Sequence, residues 1–267
     1  MGADIKKLRN RIKSVDSTLH LTKAMGLVAS SKIRRATDSM NKARQYERAF
    51  AEAIEALTAC TECQKSPFMR ASEGKKTRLI VIAGDRGLAG GYNANIFRAL
   101  REYGDAELIP IGKRACEKCG KEINSAERFS STQALELART LCEDFKNGEY
   151  DRLGIVGTKY VSMLTQEAYV SWILPLERKE DAPSHNAVFE PDEQSILNLA
   201  IAEYISALIM SAVRESFACE IASRRNAMDS AGKNAQQMID ELGLEYNRAR
   251  QGAITQELTE IVAGSNA

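Results

Sequence analysis

The stretch ADIKKLRNRIKSVDSTLHLTKAMGLVASSKIRRATDSM, residues 3–40, decides the fold. Stepping through it alternately by three and four residues lands on Ile5, Leu8, Ile12, Val15, Leu19, Thr22, Gly26, Ala29, Ile33, Ala36 and Met40. The steps continue through Ala43 and polar Glu47 to Phe50, Ile54 and Leu57. Such spacing keeps one stripe of a 3.6-residue helix facing a single neighbour, which is the seam of a coiled coil. No proline and only one glycine, Gly26, fall within residues 3–66, so the whole span is predicted as helix. In its middle, from Thr22 to Ala29 and at Ala36 and Ala43, the seam is made of small residues. These let a partner helix approach closely but remove little apolar area from water, so this helix frays alone.

The partner is found at the other end of the sequence. After Glu190-Pro191-Asp192, with Asp192 placed to cap, no proline follows to Ala267. Val213, Phe217, Ile221, Met228, Ala231, Ala235, Met238 and Leu242 give this second stretch a seam of similar character. At ~1.5 Å per residue, helices of about 56 and about 70 residues run roughly 84 and 105 Å, too long to stand unsupported. Residues 75–190 differ, with short apolar runs alternating with helical stretches. Strands are predicted at Leu79–Ala83, Glu107–Ile111, Leu153–Thr158 and Ala168–Leu174, and helices at Asn93–Tyr103 and residues 131–146, with a short helix after Ile111. The fold class expected is therefore α/β: a long antiparallel coiled coil of the terminal helices with an inserted Rossmann-like α/β domain. Its parts are an N-terminal helix within 1–66, the α/β domain within 75–190 and a C-terminal helix within 192–267. The second helix is expected to outrun the first by roughly 14 residues, about 20 Å.

Three features invite a chemical reading. Gly84-Asp85-Arg86-Gly87-Leu88-Ala89-Gly90-Gly91 sits between a strand and a helix, where a dinucleotide loop would lie. Its glycines are not spaced as GxGxxG, and the second strand ends without a ribose-binding carboxylate. A tight turn, with Asp85 and Arg86 bonded locally, is expected instead. Six cysteines include two Cys-x-x-Cys pairs, Cys60/Cys63 and Cys116/Cys119, with Cys142 and Cys219 alone. Four thiolates can hold zinc, but 52 residues separate the pairs and no cysteine-rich knuckle surrounds either, so ordinary reduced thiols are expected. The two histidines, His20 and His185, have no nucleophile or carboxylate in a catalytic arrangement beside them. The reading is a non-enzyme with no catalytic, cofactor or metal residues.

Charge is uneven despite a net of +1: residues 1–48 carry twelve Lys/Arg against four Asp/Glu, and residues 194–267 carry six against nine. A basic helix face suits an acidic protein, nucleic acid or anionic lipid, and is most often simply solvated. A nucleic-acid-binding coiled coil is the rival reading, weakened by the few aromatics among those charges. No apolar run of the roughly 18–20 residues needed to span a bilayer is expected, and neither a signal nor a transit peptide is visible.

LTKAMGLVASSKIRRA at 21–36, GDRGLAGGYN at 84–93 and YNRARQGAITQELTEIV at 246–262 together closely resemble the gamma-subunit family of F-type ATP synthases. The resemblance covers essentially the whole chain in order. It implies a central rotor stalk whose coiled coil penetrates a hexamer of three alpha and three beta subunits. The α/β domain then stands at the foot beside epsilon and the membrane ring of c subunits, at the cytoplasmic face of a bacterial membrane. By motif match it implies beta-subunit contacts at Arg250, Gln251, Thr255 and Glu257, and at Lys23 and Met25. It also gives a role to Ile254, Leu258, Ile261 and Val262, an apolar stripe expected beyond the reach of the first helix: they are expected to turn inside an apolar sleeve, because non-directional contacts leave no deep angular wells. Gly26 and Ser30 depart from the family pattern, as do both Cys-x-x-Cys pairs. Residues 159–192 hold no cysteine, so a chloroplast-type thiol switch is not expected.

Overall fold

A computed structural model describes residues 2–70, 76–177, 190 and 192–265 of the chain. They gather into two compact units, residues 1–31 with 224–267 and residues 32–223. Two long helices, α1 (Gly2–Ala59) and α5 (Glu193–Ser265), contribute to both. The cap expected for α5 is present: Asp192 Oδ1 accepts the Ser195 backbone amide at 2.8 Å.

In the first unit, the α1 seam faces α5 as its spacing requires. Leu19, Thr22 and Ala29 are buried, whereas Lys6, Lys7, Arg9, Arg11, Lys13 and Lys23 face solvent. A Cβ placed on Gly26 would lie 3.7 Å from Met228 Cβ, and one on Gly232 would lie 3.6 Å from Thr22 Oγ1. These neighbours fix an antiparallel register that, carried down the helix, sets Gly2 opposite Gly252. Residues 253–265 of α5 therefore extend past the start of α1, and 254–264 are exposed throughout. One seam assignment on α5 needs correction. Met238 is 40% exposed, and the inward stripe runs instead through buried Met228, Ala235 and Leu242 and half-buried Gly232 and Ile239. Alternating steps of four and three from Met228 pass one residue beyond Met238.

The second unit is a three-layer domain built on a sheet in the order β2-β1-β3-β4. β1 (Thr77–Ile82) pairs in parallel with both β2 (Glu107–Ile111) and β3 (Arg152–Tyr160), and β4 (Gln166–Leu174) pairs antiparallel with β3. Successive strand residues point to opposite faces, so β1 feeds two cores. Ile80 and Ile82 join α4 (Ser131–Lys146), the end of α1, and Leu197, Ile201, Ile205 and Ile209 of α5. Leu79 and Val81 join Tyr92 and Ile96 of α2 (Tyr92–Ala99). Because α2 and α4 cover opposite faces, the winding reverses between β1 and β3, which is where open α/β sheets offer a crevice. The short α3 (Lys113–Cys119) follows β2 as expected.

Three expectations shift. α1 stops at Ala59 and does not run to residue 66, giving way to 3-10 turns at Glu62–Lys65 and Pro67–Met69. Thr58 Oγ1 and Cys60 Sγ bond back to carbonyls of the preceding turn, and the chain must reverse to bury Phe68 completely. The helix predicted at 93–103 is α-helical only to Ala99 and closes as a 3-10 turn, Leu100–Tyr103. Finally, α5 does contain an 18-residue window apolar enough to cross a membrane. Half of that window is buried, with Leu197, Ile201, Ile205 and Ile209 inside the domain core, which accounts for its composition.

Two stability changes of opposite sign follow. Phe68→Ala empties a fully buried site and is expected to cost about 3–5 kcal/mol in urea unfolding. Gly26→Ala adds a Cβ at ordinary contact distance inside a helix and is expected to stabilise by about 0.5–1 kcal/mol.

Candidate functional site

The glycine-rich loop after β1 lies at the crevice where a nucleotide phosphate would sit, and the chain's own carboxylate occupies that position. Glu220 of α5, 3% exposed, accepts the Asp85 backbone amide at 3.2 Å. A Cβ on Gly84 would fall 2.8 Å from Glu220 Cδ and Oε2, so only glycine lets the loop close onto the carboxylate. The cavity left beside it, about 70 Å³ among Gly91, Tyr92, Asn95, Thr158 and Ser223, is far below the roughly 300 Å³ of a small-molecule site.

Asp85 bonds differently from the local turn expected. Its carboxylate accepts the backbone amides of Lys113 (3.1 Å), Ala126 (2.9 Å) and Glu127 (3.0 Å) and the Ser125 hydroxyl (2.6 Å), stitching the loop to α3 and to the segment before α4. Burial pushes this carboxyl up, but the bonds from Ser125 and the three amides outweigh it and hold it below the usual Asp value. Arg86 pairs with Glu127 at 3.1 Å, which in turn reaches Lys32 of α1 at 3.9 Å. All three side chains are well exposed, so these pairs add little.

α5 meets the domain through polar contacts as well as the apolar core. The Tyr92 hydroxyl donates to the Ser216 carbonyl at 3.1 Å and lies 2.5 Å from Ser216 Oγ. Ser223 Oγ donates to the Ala89 carbonyl at 2.7 Å, and Cys219 Sγ to the Thr158 carbonyl at 3.6 Å. On the neighbouring face, Glu215 accepts from Arg44 of α1 and from the Tyr160 amide, at 2.5 and 2.6 Å. Sequence reasoning did not single out Glu215, Ser216, Glu220 or Ser223. The available signal was a pair of carboxylates inside an otherwise small and apolar helical run, Ser216-Phe217-Ala218-Cys219-Glu220-Ile221-Ala222 with Glu215 just before it.

The residues implied as partner contacts lie on two separate surfaces of the first unit. Lys23 is exposed and Met25 half-buried on α1, among exposed apolar residues off the seam: Leu21, Leu27 and Val28. Arg250, Gln251, Thr255 and Glu257 are exposed on α5, where Thr255 Oγ1 donates to the Gln251 carbonyl. In the observed register Lys23 lies opposite Ala231, some 28 Å along the helix from Arg250. Ile254, Leu258, Ile261 and Val262 are between 48% and 68% exposed, a stripe of apolar surface at the end of α5.

All six cysteines are free thiols, with Cys60 and Cys119 half-buried and the rest buried. Burial pushes Cys63 up to about 11 and Cys142 up to about 12. Among the described residues no three His, Cys, Asp or Glu side chains gather in a metal-holding cluster. His20 stands exposed beside Asp16, and His185 lies outside the described residues.

A thiol reagent at about pH 8 is expected to modify at most Cys60 and Cys119 in the native protein, and all six cysteines once it unfolds. Because the Asp85 value is depressed on folding, its stabilisation is complete above the ordinary value of 3.8 and is lost as pH falls through the folded value. Asp85→Asn is expected to cost about 2–4 kcal/mol in urea unfolding near pH 7, and less as the pH is lowered into the acid range.

A sequence model of the ATP synthase family matches residues 4–267. The sodium-ion-specific ATP synthase gamma chain of Acetobacterium woodii is 36% identical over 300 residues, covering 100% of this chain and 99% of its own length. The ATP synthase gamma chain of Ruminococcus albus is 38% identical over 281 residues, covering 98% of each. In fold, the chain is similar to one from the mitochondrial ATP synthase of Euglena gracilis (OSCP/F1/c-ring, rotational state 3). There the TM-score is 0.73 at 19% identity, with 100% of this chain and 95% of that one covered. Since its likeness to these bacterial gamma chains runs from end to end, the chain belongs to the ATP synthase gamma-chain family.

Proposed function

We propose that this chain is the central rotor shaft of an F-type ATP synthase, a non-catalytic subunit that couples ion-driven rotation of a c ring to conformational change in three beta subunits. Its partners are the alpha and beta subunits around the coiled coil, with epsilon and the c ring at the α/β domain. It works at the cytoplasmic face of a bacterial cell membrane, as the bacterial relatives suggest. The observation that carries this reading is the end of α5, where the chain extends beyond its pairing with α1 and presents Ile254, Leu258, Ile261 and Val262 to the outside.

An apolar end of this kind suits a bearing. Contacts that scale with area and have no preferred direction keep the shaft centred while costing little as it turns. Arg250, Gln251, Thr255 and Glu257 offer charged and hydrogen-bonding groups to one beta subunit at a time, and lower down Lys23 offers a charge and Met25 an apolar side chain. A two-helix shaft is not three-fold symmetric, so the three beta subunits meet different faces of it. Each is biased toward a different conformation by differential contact, and rotation passes those biases around the ring. The exposed lysines and arginines of α1 suit acidic loops on the surrounding subunits better than they suit a nucleic acid, which nothing in the family match favours.

Reconstitution with alpha and beta tests this reading. The chain is expected to co-purify with them in a defined complex whose ATPase activity depends on it; full activity and ordered assembly without it would contradict the proposal. Within that complex, Arg250→Ala removes a charged partner contact and is expected to slow ATP turnover about tenfold, corresponding to roughly 1.4 kcal/mol of lost differential binding. Replacing Ile254, Leu258 and Ile261 together by Ala is expected to leave the fold of the isolated chain intact, since all three are exposed, while weakening retention of the shaft in the complex.

A further inference from the structure

Ser216, Cys219, Glu220 and Ser223 follow one another along α5 by three, one and three residues, so they share one helix face. Each makes a polar contact with the α/β domain: Ser216 with Tyr92, Cys219 with Thr158, Glu220 with the Asp85 amide and Ser223 with the Ala89 carbonyl. We propose that this row, with Glu220 at its centre, is the mechanical joint through which the α/β domain turns α5. The inference rests on the rotor function proposed above.

The rest of the α5 seat would hold the helix without gripping it. From Leu197 to Val213 the seat is mainly apolar, with Ser206 and Ser211 buried in it and the Ser211 hydroxyl bonding Glu47 of α1 rather than the sheet, and an apolar seat resists removal of the helix more than rolling about its axis. The row at 216–223 resists rolling, because hydrogen bonds weaken steeply with angle, and Ser216, Cys219 and Glu220 are buried away from competing water while Ser223 is half-buried. Gly84 leaves the joint without slack: its Cα approaches so closely that a single methyl would meet the Glu220 carboxylate at 2.8 Å. Asp85 then spreads the load, since the residue whose amide holds Glu220 also binds Lys113, Ser125, Ala126 and Glu127 through its side chain. Glu215 extends the grip to the other helix by joining Arg44 of α1 to the Tyr160 amide of β3. The loop that reads in sequence as a failed nucleotide site is in this account a socket, and its ligand is a side chain of the shaft.

The test is the torsional stiffness of the assembled complex. The alpha–beta ring is fixed, the shaft end of α5 is held in it, and the angular fluctuation of a probe on the α/β domain is recorded without ATP. Glu220→Ala and Gly84→Ala are each expected to broaden the angular variance at least twofold. Glu220→Gln, which keeps the acceptor for the Asp85 amide, should restore most of the stiffness. Should either variant fail to assemble, the milder pair Tyr92→Phe and Ser223→Ala, which remove single hydroxyl contacts, should broaden the variance in steps that combine in the double variant. Assembled variants with unchanged variance would overturn the joint. Failure of the unaltered chain to assemble with alpha and beta would instead overturn the rotor reading on which the joint depends.

Discussion

Everything in the second unit depends on how α5 is seated between Leu197 and Ser223. A helix that is apolar nearly all round is stable in water only if most of its circumference is covered. Here the cover comes from the first helix and the inserted domain: Ile54 and Leu57 at the end of α1, Phe68 in the turn that follows, the Ile80/Ile82 face of the sheet, and α4. Taking α5 away would leave that face of the sheet facing water. The inserted domain and the helix are thus parts of one core, and contacts on one reach the other through buried side chains.

Two kinds of contact divide the labour along this single helix. Between 216 and 223 the partners are hydrogen-bond donors and acceptors at fixed positions, with a glycine admitting the carboxylate at close range. Near the end, between 254 and 262, the exposed surface carries the apolar side chains of Ile254, Leu258, Ile261 and Val262 beside the polar Thr255 and Glu257. Under the proposed rotor function, directional bonds suit a place where a shaft must not slip, and area-dependent attraction suits a place where it must. Both stretches belong to the one helix α5.

The long helices were legible because a seam repeats: sixteen positions of α1, from Ile5 to Leu57, were placed by spacing alone, and each is buried or half-buried. β2 and α4 were legible to the residue, since apolar runs and turn residues bound them sharply. The end of α1 was not, because residues 60–66 contain no helix breaker and the reversal is imposed by Phe68 entering a core that forms only in three dimensions. Met238 was misplaced by one position for the opposite reason: the run from Ala235 to Leu242 offers two apolar residues in succession, and only the partner helix decides that Ile239 faces in. The role of Glu220 was hidden because its meaning lies in Gly84, 136 positions earlier in the sequence. The glycines mark the loop as a tight turn, but the carboxylate that fills it could not be seen from the loop itself.

The central claim is that the chain turns as a shaft inside a ring of catalytic subunits, and single-molecule rotation tests it most directly. With the alpha–beta ring fixed to a surface and a probe attached to the α/β domain, adding ATP should drive unidirectional rotation with dwells at three angles about 120° apart, matching the three-fold ring. ATP hydrolysis by the same complexes without rotation of the probe, or with rotation in no preferred direction, would contradict the account.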